Sequence, residues 1–226
     1  MIEFFDDVVD GAGVFGSAAA AGADNVCAGC EHLGDALGRF GGRLLAGPVD
    51  ERVRPTSDKV RQAVFNILAH NDFGREFSLE GARVIDLFAG TGAMGLEALS
   101  RGANYCLFVD DSAASRALIR RNVEALALTG ATKIWRRDAT ALGPLSAGSG
   151  GPFDLAFLDP PYRCDLLAPA LQSLCAGNWL APYALVVAEH VLDENLAQIA
   201  GFTALDARSY GDTIVAFLQF GTQNRS

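Results

Sequence analysis

The sequence predicts an α/β fold built on a mostly parallel sheet covered on both faces, and three observations carry that expectation. Apolar, strand-like runs alternate with segments of helical period from residue 82 onward. The first such run passes straight into a glycine-rich turn, Gly90-Thr91-Gly92-Ala93-Met94-Gly95, and a later one ends in Asp159-Pro160-Pro161-Tyr162. Alternating β and α elements place helices on both faces of a parallel sheet, whose ligands bind at the carboxyl ends of the strands where strand order reverses.

The chain has 226 residues, half of them hydrophobic, enough for one well-buried domain plus an appendage. It holds no run of 18 apolar residues, and its start, MIEFFDDVVDG, carries acids where a signal peptide needs a basic start and an apolar core. The expectation is a soluble, cytoplasmic protein. The five cysteines are an odd number, which argues against a disulfide framework. Cys27 and Cys30 form a CxxC followed by His32, but no second CxxC completes a zinc site, so the pair reads as incidental.

The net charge of −9 is unevenly placed. Residues 1–38 contain seven acids and no Lys or Arg, whereas residues 39–61 hold six bases (Arg39, Arg43, Arg52, Arg54, Lys59, Arg61) against three acids. The body therefore carries a basic strip compatible with nucleic acid. Residues 1–38, rich in Gly, Ala and Asp without a sustained apolar period, read as a weakly structured acidic extension.

Taken in order, RFGGRLLAGP predicts a strand or hairpin within 39–56, and Pro55 keeps Arg54 extended. Thr56 and Ser57 offer an N-cap for a helix with Val60, Val64, Ile67 and Leu68 on one face, which leaves Lys59 and Arg61 toward solvent. ARVIDLF (82–88) is a buried strand, AMGLEALSR a helix stopped at Gly102, YCLFVDD (105–111) a strand, and SAASRALIRRNVEALAL a helix. KIWRRDA and FDLAFLDPPY give two further strands. LLAPALQSL (helix), ALVVAEH (strand), DENLAQIA (helix) and the strands TALDARSY and TIVAFLQF follow, with Gly211-Asp212 as a hairpin turn at an antiparallel edge.

The candidate site residues all fall at strand ends. The glycine turn allows close backbone approach to a ligand, with Gly90 and Gly92 in it and Asp86 in the strand before. Asp110, 24 positions beyond Asp86 at the end of the second strand, can accept both ribose hydroxyls of a nucleoside cofactor. Asp138 could accept from an adenine amine or simply pair with the adjacent Arg136 and Arg137.

In the tetrapeptide, two prolines rigidify the backbone and leave carbonyls that no ladder N–H claims. Asp159 and the Pro160 carbonyl can then both accept from one NH2 group, and Tyr162 offers an aromatic face for a flipped base. An exocyclic base amine is a poor nucleophile because its lone pair is delocalised into the ring. Two acceptors hold it pyramidal and aim that lone pair at a methyl donor.

RPTSDKVRQAVFNIL, VIDLFAGTGAMGLEALSRGA, FVDDS, FDLAFLDPPY and a late YGDT, in this order over roughly residues 39–220, resemble the RsmD family of bacterial 16S ribosomal RNA guanine-N2 methyltransferases. The resemblance implies a class I methyltransferase fold: a seven-stranded sheet with the last strand antiparallel, preceded by a small N-terminal β-hairpin. It divides the chain into the extension (1–38), a hairpin segment (39–56) and a methyltransferase domain (57–226). It implies S-adenosylmethionine as cosubstrate with no metal, and as partner 16S rRNA within an assembled or partly assembled 30S subunit, with the protein a monomer that binds no membrane. It places the methionine end near Asp86 and Phe88, and the adenine near Asp138 and Ala139.

Arg54, Thr56, Lys59, Arg61 and Arg163 are candidates for RNA contact. Two departures stand out: an acidic extension precedes RFGGRLL where a short basic strand is expected, and Asp110 stands where Glu is expected. Competing readings are a methyltransferase for adenine N6 or protein glutamine, a nicotinamide-dependent oxidoreductase using the same glycine turn, and an RNA-binding assembly factor without turnover.

Overall fold

The structure, a computed structural model, describes residues 30–32, 44–46, 58–70, 73, 77–162, 164–191 and 199–221. The strand expected near RFGGRLL exists as β2 (Leu44–Ala46), and its antiparallel partner is β1 (Cys30–His32), in register Cys30↔Ala46 and His32↔Leu44. Strand β1 thus lies within the segment read as a weakly structured extension. A three-residue strand inside a Gly- and Ala-rich stretch has no periodicity of its own, and only its partner defines it.

Helix α1 (Asp58–His70) buries Arg61, Val64, Phe65 and Leu68, an i, i+3, i+4, i+7 stripe. The expected face, Val60 to Leu68, is thus rotated by about one residue: Val60 and Ile67 are half-buried and Arg61 lies inside at 1% exposure. Arg61 is therefore not the solvent-facing base that the sequence suggested. Its guanidinium pairs with Asp58 one turn earlier, Nη2 to Oδ1 at 2.6 Å. Phe65 tilts against Phe157 with centroids 5.6 Å apart, docking the helix on the sheet.

Strands β3 (Arg83–Leu87), β4 (Tyr105–Val109), β5 (Thr132–Trp135), β6 (Phe153–Leu158), β7 (Leu180–Val191), β8 (Phe202–Tyr210) and β9 (Thr213–Phe220) form one sheet in the order β5-β4-β3-β6-β7-β9-β8. The pairs β3–β4, β3–β6, β4–β5 and β6–β7 are parallel; β7–β9 and β8–β9 are antiparallel. The single reversed strand is the last, β9, and it lies one position in from the edge that β8 forms. Strand β7 also starts earlier than the pattern suggested. Pro182 and Tyr183 (φ +65°) interrupt its apolar run, at an irregularity in the β6–β7 register.

Helices α2 (Ala93–Ser100) and α3 (Ala113–Ala125) join α1 on one face, where Leu96, Leu99 and Ile119 meet Val84, Phe108, Phe157 and Phe217. Helix α4 (Leu167–Ala176) covers the other, with Leu171 and Leu174 against Ile85, Leu107, Ala156 and Trp179. The helix expected over DENLAQIA falls mainly on residues 192–198, outside the described residues. Among the described residues no helix is long and apolar enough to cross a membrane.

The N-terminal sheet is joined to the domain by one buried amide. The Ala46 N–H donates to Asn122 Oδ1 (2.8 Å), and Asn122 Nδ2 donates to the carbonyls of Ala46 and Thr91 (both 3.1 Å). Asn122, on α3, thus presents β2 with the donor and acceptor a neighbouring strand would offer, while also holding the glycine turn.

Two glycines of that turn are required by geometry. Gly92 caps α2 at φ +79°, in the left-handed region. Gly95 faces β4 so closely that a Cβ there would overlap the Phe108 ring and the Cys106 sulfur. In an open helix Gly→Ala gains up to about 1 kcal/mol. Here overpacking costs about 1–3 kcal/mol, so Gly95→Ala should lower Tm by several degrees; scanning calorimetry showing an unchanged or higher Tm would contradict this packing.

Candidate active site

Strand order reverses between β3 and β6, and the crevice outside their carboxyl ends is where this architecture binds ligands. A cleft of about 670 Å³ opens there. Five adjacent parallel strands each deliver one acid at or near their carboxyl ends: Asp138 after β5, Asp110 after β4, Asp86 within β3, Asp159 after β6 and Glu189 within β7. All five line the cleft. Asp110, Asp159 and Glu189 directly follow buried apolar runs, so the burial that forms those strands also aims their acids along one rim.

Asp86 is 4% exposed, and its Oδ2 accepts from the Gly95 N–H (3.0 Å) in the first turn of α2. Burial pushes its carboxyl well above the usual range, the Gly95 bond partly opposes this, and the nearby Asp159 and Asp110 carboxylates add to the rise. Asp110 is pinned at both oxygens, Oδ2 by the Gly90 N–H (2.9 Å) and Oδ1 by the Ser112 N–H (2.8 Å). Burial raises its pKa, and those two bonds work against the rise. Asp138 caps the one-turn 3₁₀ helix Ala139–Ala141, accepting from Thr140 N (2.8 Å) and Thr140 Oγ1 (2.6 Å), and these bonds lower its pKa. Arg137 instead reaches the Leu142 carbonyl and lies over the Trp135 ring, 5.0 Å from its centroid.

Tyr162 is held from the side. Its hydroxyl donates to Glu189 Oε1 (2.6 Å) and lies 3.2 Å from Thr213 Oγ1. Burial, then the Glu189 hydrogen bond, push its pKa up to about 12, so the hydroxyl stays protonated at neutral pH. Phe88, also on the cleft, has φ +57°, a costly backbone for a bulky residue.

Among the described lining residues, the acids Asp86, Asp110, Asp111, Asp138, Asp159 and Glu189 face one base, Arg137. Such a wall attracts a cation and repels a phosphate. The N–H of Gly95 at the start of α2, a donor that a pyrophosphate could use, already binds Asp86. Both features count against a dinucleotide in this cleft.

The raised pKa of Asp86 has a stability consequence. Its folded pKa lies above the unfolded one, so stability falls as pH rises from the ordinary carboxylate range through the raised value, and the loss persists at neutral pH. Asp86→Asn keeps an acceptor for Gly95 and removes the titrating group. Its Tm at pH 7 should rise, by roughly 2–4 °C for each kcal/mol relieved, and the gain should vanish in acid; a fall in Tm at pH 7 in calorimetry would refute the desolvation account.

The sequence-predicted residues Asp86, Phe88, Gly90, Asp110, Asp138, Ala139, Asp159, Pro160, Pro161 and Tyr162 therefore share one cleft. Gly92 shapes the turn behind it. Lys59 is exposed beside Val60, which reaches the cleft from α1, whereas Arg61 is buried away from it. Arg54, Thr56 and Arg163 lie outside the described residues. Glu189, Tyr210 and Thr213 line the cleft without having been singled out. VVAEH carried the same signal as the other strand ends, a buried run closing on an acid, and YGDT holds Tyr210 and Thr213.

A model of the family described as conserved hypothetical protein 95 matches residues 36–219. The ribosomal RNA small subunit methyltransferase D of Escherichia coli strain K12 is 36% identical over 163 residues, 72% of this chain and 76% of that protein. The candidate rRNA methyltransferase YlbH of Bacillus subtilis strain 168 is 35% identical over 176 residues, 77% of this chain and 92% of that protein. Among solved structures, the candidate methyltransferase yhhF of Escherichia coli aligns with a TM-score of 0.70 at 28% identity, over 86% of this chain and 100% of that one.

Proposed function

Because this chain belongs to the RsmD family and has the class I methyltransferase fold, we propose that it transfers a methyl group from S-adenosylmethionine to the exocyclic N2 amine of a guanine in 16S ribosomal RNA, presented in an assembled or partly assembled 30S subunit. The observation that carries this reading is the meeting of Asp159-Pro160-Pro161-Tyr162 with the row of strand-end acids in one cleft.

The residues present fit the cosubstrate. S-adenosylmethionine bears a sulfonium and an ammonium against one carboxylate, so it is a net cation, and the acidic wall suits it. Asp110, already oriented by Gly90 and Ser112, would take the ribose hydroxyls. Asp138 and Ala139 would flank the adenine, and Asp86 and Phe88 the methionine end. When bound, the cosubstrate supplies an electrophilic methyl group whose departure leaves a neutral thioether.

The chain's own task is to orient the amine. The Asp159 carboxylate and the Pro160 carbonyl accept its two N–H groups and expose the lone pair, and the tethered Tyr162 ring supports the base. Proximity and alignment then supply most of the acceleration. The proton that becomes acidic on the methylated nitrogen leaves to water or to Asp159. Lys59, exposed next to Val60 on α1, is a candidate phosphate contact, and Arg54, Thr56 and Arg163 join it as candidates from outside the described residues.

The deciding experiment maps methylated nucleotides in ribosomal RNA from cells with and without this protein. One N2-methylguanine in the small-subunit RNA should disappear with the protein and return on complementation. An unchanged map would refute the reading, and loss of a methyladenine instead would move the substrate to adenine N6.

A further inference from the structure

Asp159, Pro160 and Tyr162 account for the amine and the ring, and leave Glu189 without a role. Leu158 on β6 pairs with Ala188 on β7 in a parallel register, so Asp159 and Glu189 follow side by side at adjacent strand ends. Side chains alternate along a strand, which puts both on the face of Phe157 and Val187, toward the cleft they line. Glu189 is fixed there by the Tyr162 hydroxyl on Oε1 (2.6 Å), and the same hydroxyl meets Thr213 on β9. Two neighbouring carboxylates thus face the base position, one of them locked to the residue on which the base stacks.

We propose that Glu189 selects the base by accepting the N1–H of the guanine whose N2 amine Asp159 holds. This deepens the function proposed above and rests on it. Guanine is the amino-bearing base whose amine adjoins a ring N–H, so its pairing edge shows two adjacent donors, which two adjacent acceptors match. Adenine and cytosine place a ring-nitrogen lone pair beside the amine, and a carboxylate there repels it, so that neither the ring nitrogen nor Glu189 gains a donor. Sites that hydrogen-bond one group reject an analogue lacking it far more strongly than apolar pockets do. Tyr162 is then a positioning residue as well as a platform, since its hydroxyl holds the reading carboxylate in place.

The test uses 16S RNA carrying either guanine or 2-aminopurine at the methylated position, assembled into small subunits. 2-Aminopurine keeps the N2 amine and replaces N1–H with a lone pair. The full-length wild-type protein should methylate guanine at least about tenfold faster. Glu189→Gln keeps size and an acceptor for Tyr162 but can turn an amide N–H toward N1, so the preference should fall toward unity. Both rates come from one preparation, so a folding defect cancels in the ratio. An undiminished preference in Glu189→Gln, or none in the wild type, overturns the assignment of Glu189 while leaving guanine methylation standing. Absence of wild-type transfer to guanine itself overturns the underlying function, and this proposal with it.

Discussion

Asp159→Ala is expected to lower methyl transfer to small-subunit RNA at least about 100-fold, the scale of loss when a reacting group is no longer held in line. Two acceptors are needed because one hydrogen bond leaves the amine free to stay planar and conjugated with the ring. Without Asp159 only the Pro160 carbonyl remains, and the lone pair is no longer exposed. Cosubstrate affinity should stay within a few-fold, because Asp159 lies at the far side of the cleft from Asp110 and Asp138. Removing it also withdraws one of the negative charges that raise the pKa of Asp86. Single-turnover transfer and calorimetric binding on the same preparation separate the two effects. Transfer above a tenth of the wild-type rate would remove Asp159 from the amine site.

The second large effect is on binding. Asp110→Ala should weaken S-adenosylmethionine roughly 10- to 100-fold, the equivalent of losing hydrogen bonds to a charged group. The side chain acts twice: it faces the cleft, and it ties the glycine turn (Gly90) to the start of α3 (Ser112). Asp110→Asn keeps one acceptor and should recover part of the affinity. Unchanged affinity of the Ala variant by calorimetry would exclude Asp110 from the ribose subsite.

Most of the sheet was legible because its strands are short apolar runs that end in Gly, Pro or Asp, and the runs whose final residue is an acid also located the cleft. Arg61 was misread because a helix face is fixed by what covers it. The apolar positions 60, 64, 67 and 68 define a stripe only to within one residue, and the Phe65 contact with Phe157 turns the helix enough to bury Arg61. The pairing of Cys30–His32 with Leu44–Ala46 was hidden because its anchor is a side-chain amide far along the chain, Asn122. The sequence does not mark Glu189 and Thr213, because their meeting at Tyr162 joins residues 27 and 51 positions away, a relation that needs the β6–β7 register for Glu189 and, for Thr213, the β7–β9 pairing.

That pairing has a consequence for the order in which the protein can be made. β9 lies between β7 and β8, and β8 has no other partner in the sheet. During synthesis β7 emerges able to pair only with β6 and β8 with no partner, while β9, which adds Val215 and Phe217 to one face of the sheet and Leu218 to the other, comes last. Because Thr213 opens β9, the contact that steadies Tyr162 also waits for that strand. The sheet and the Tyr162 side of the cleft are therefore completed in the same late event, and a nascent chain lacking residues 213–220 leaves the facing edges of β7 and β8 open to association with other chains.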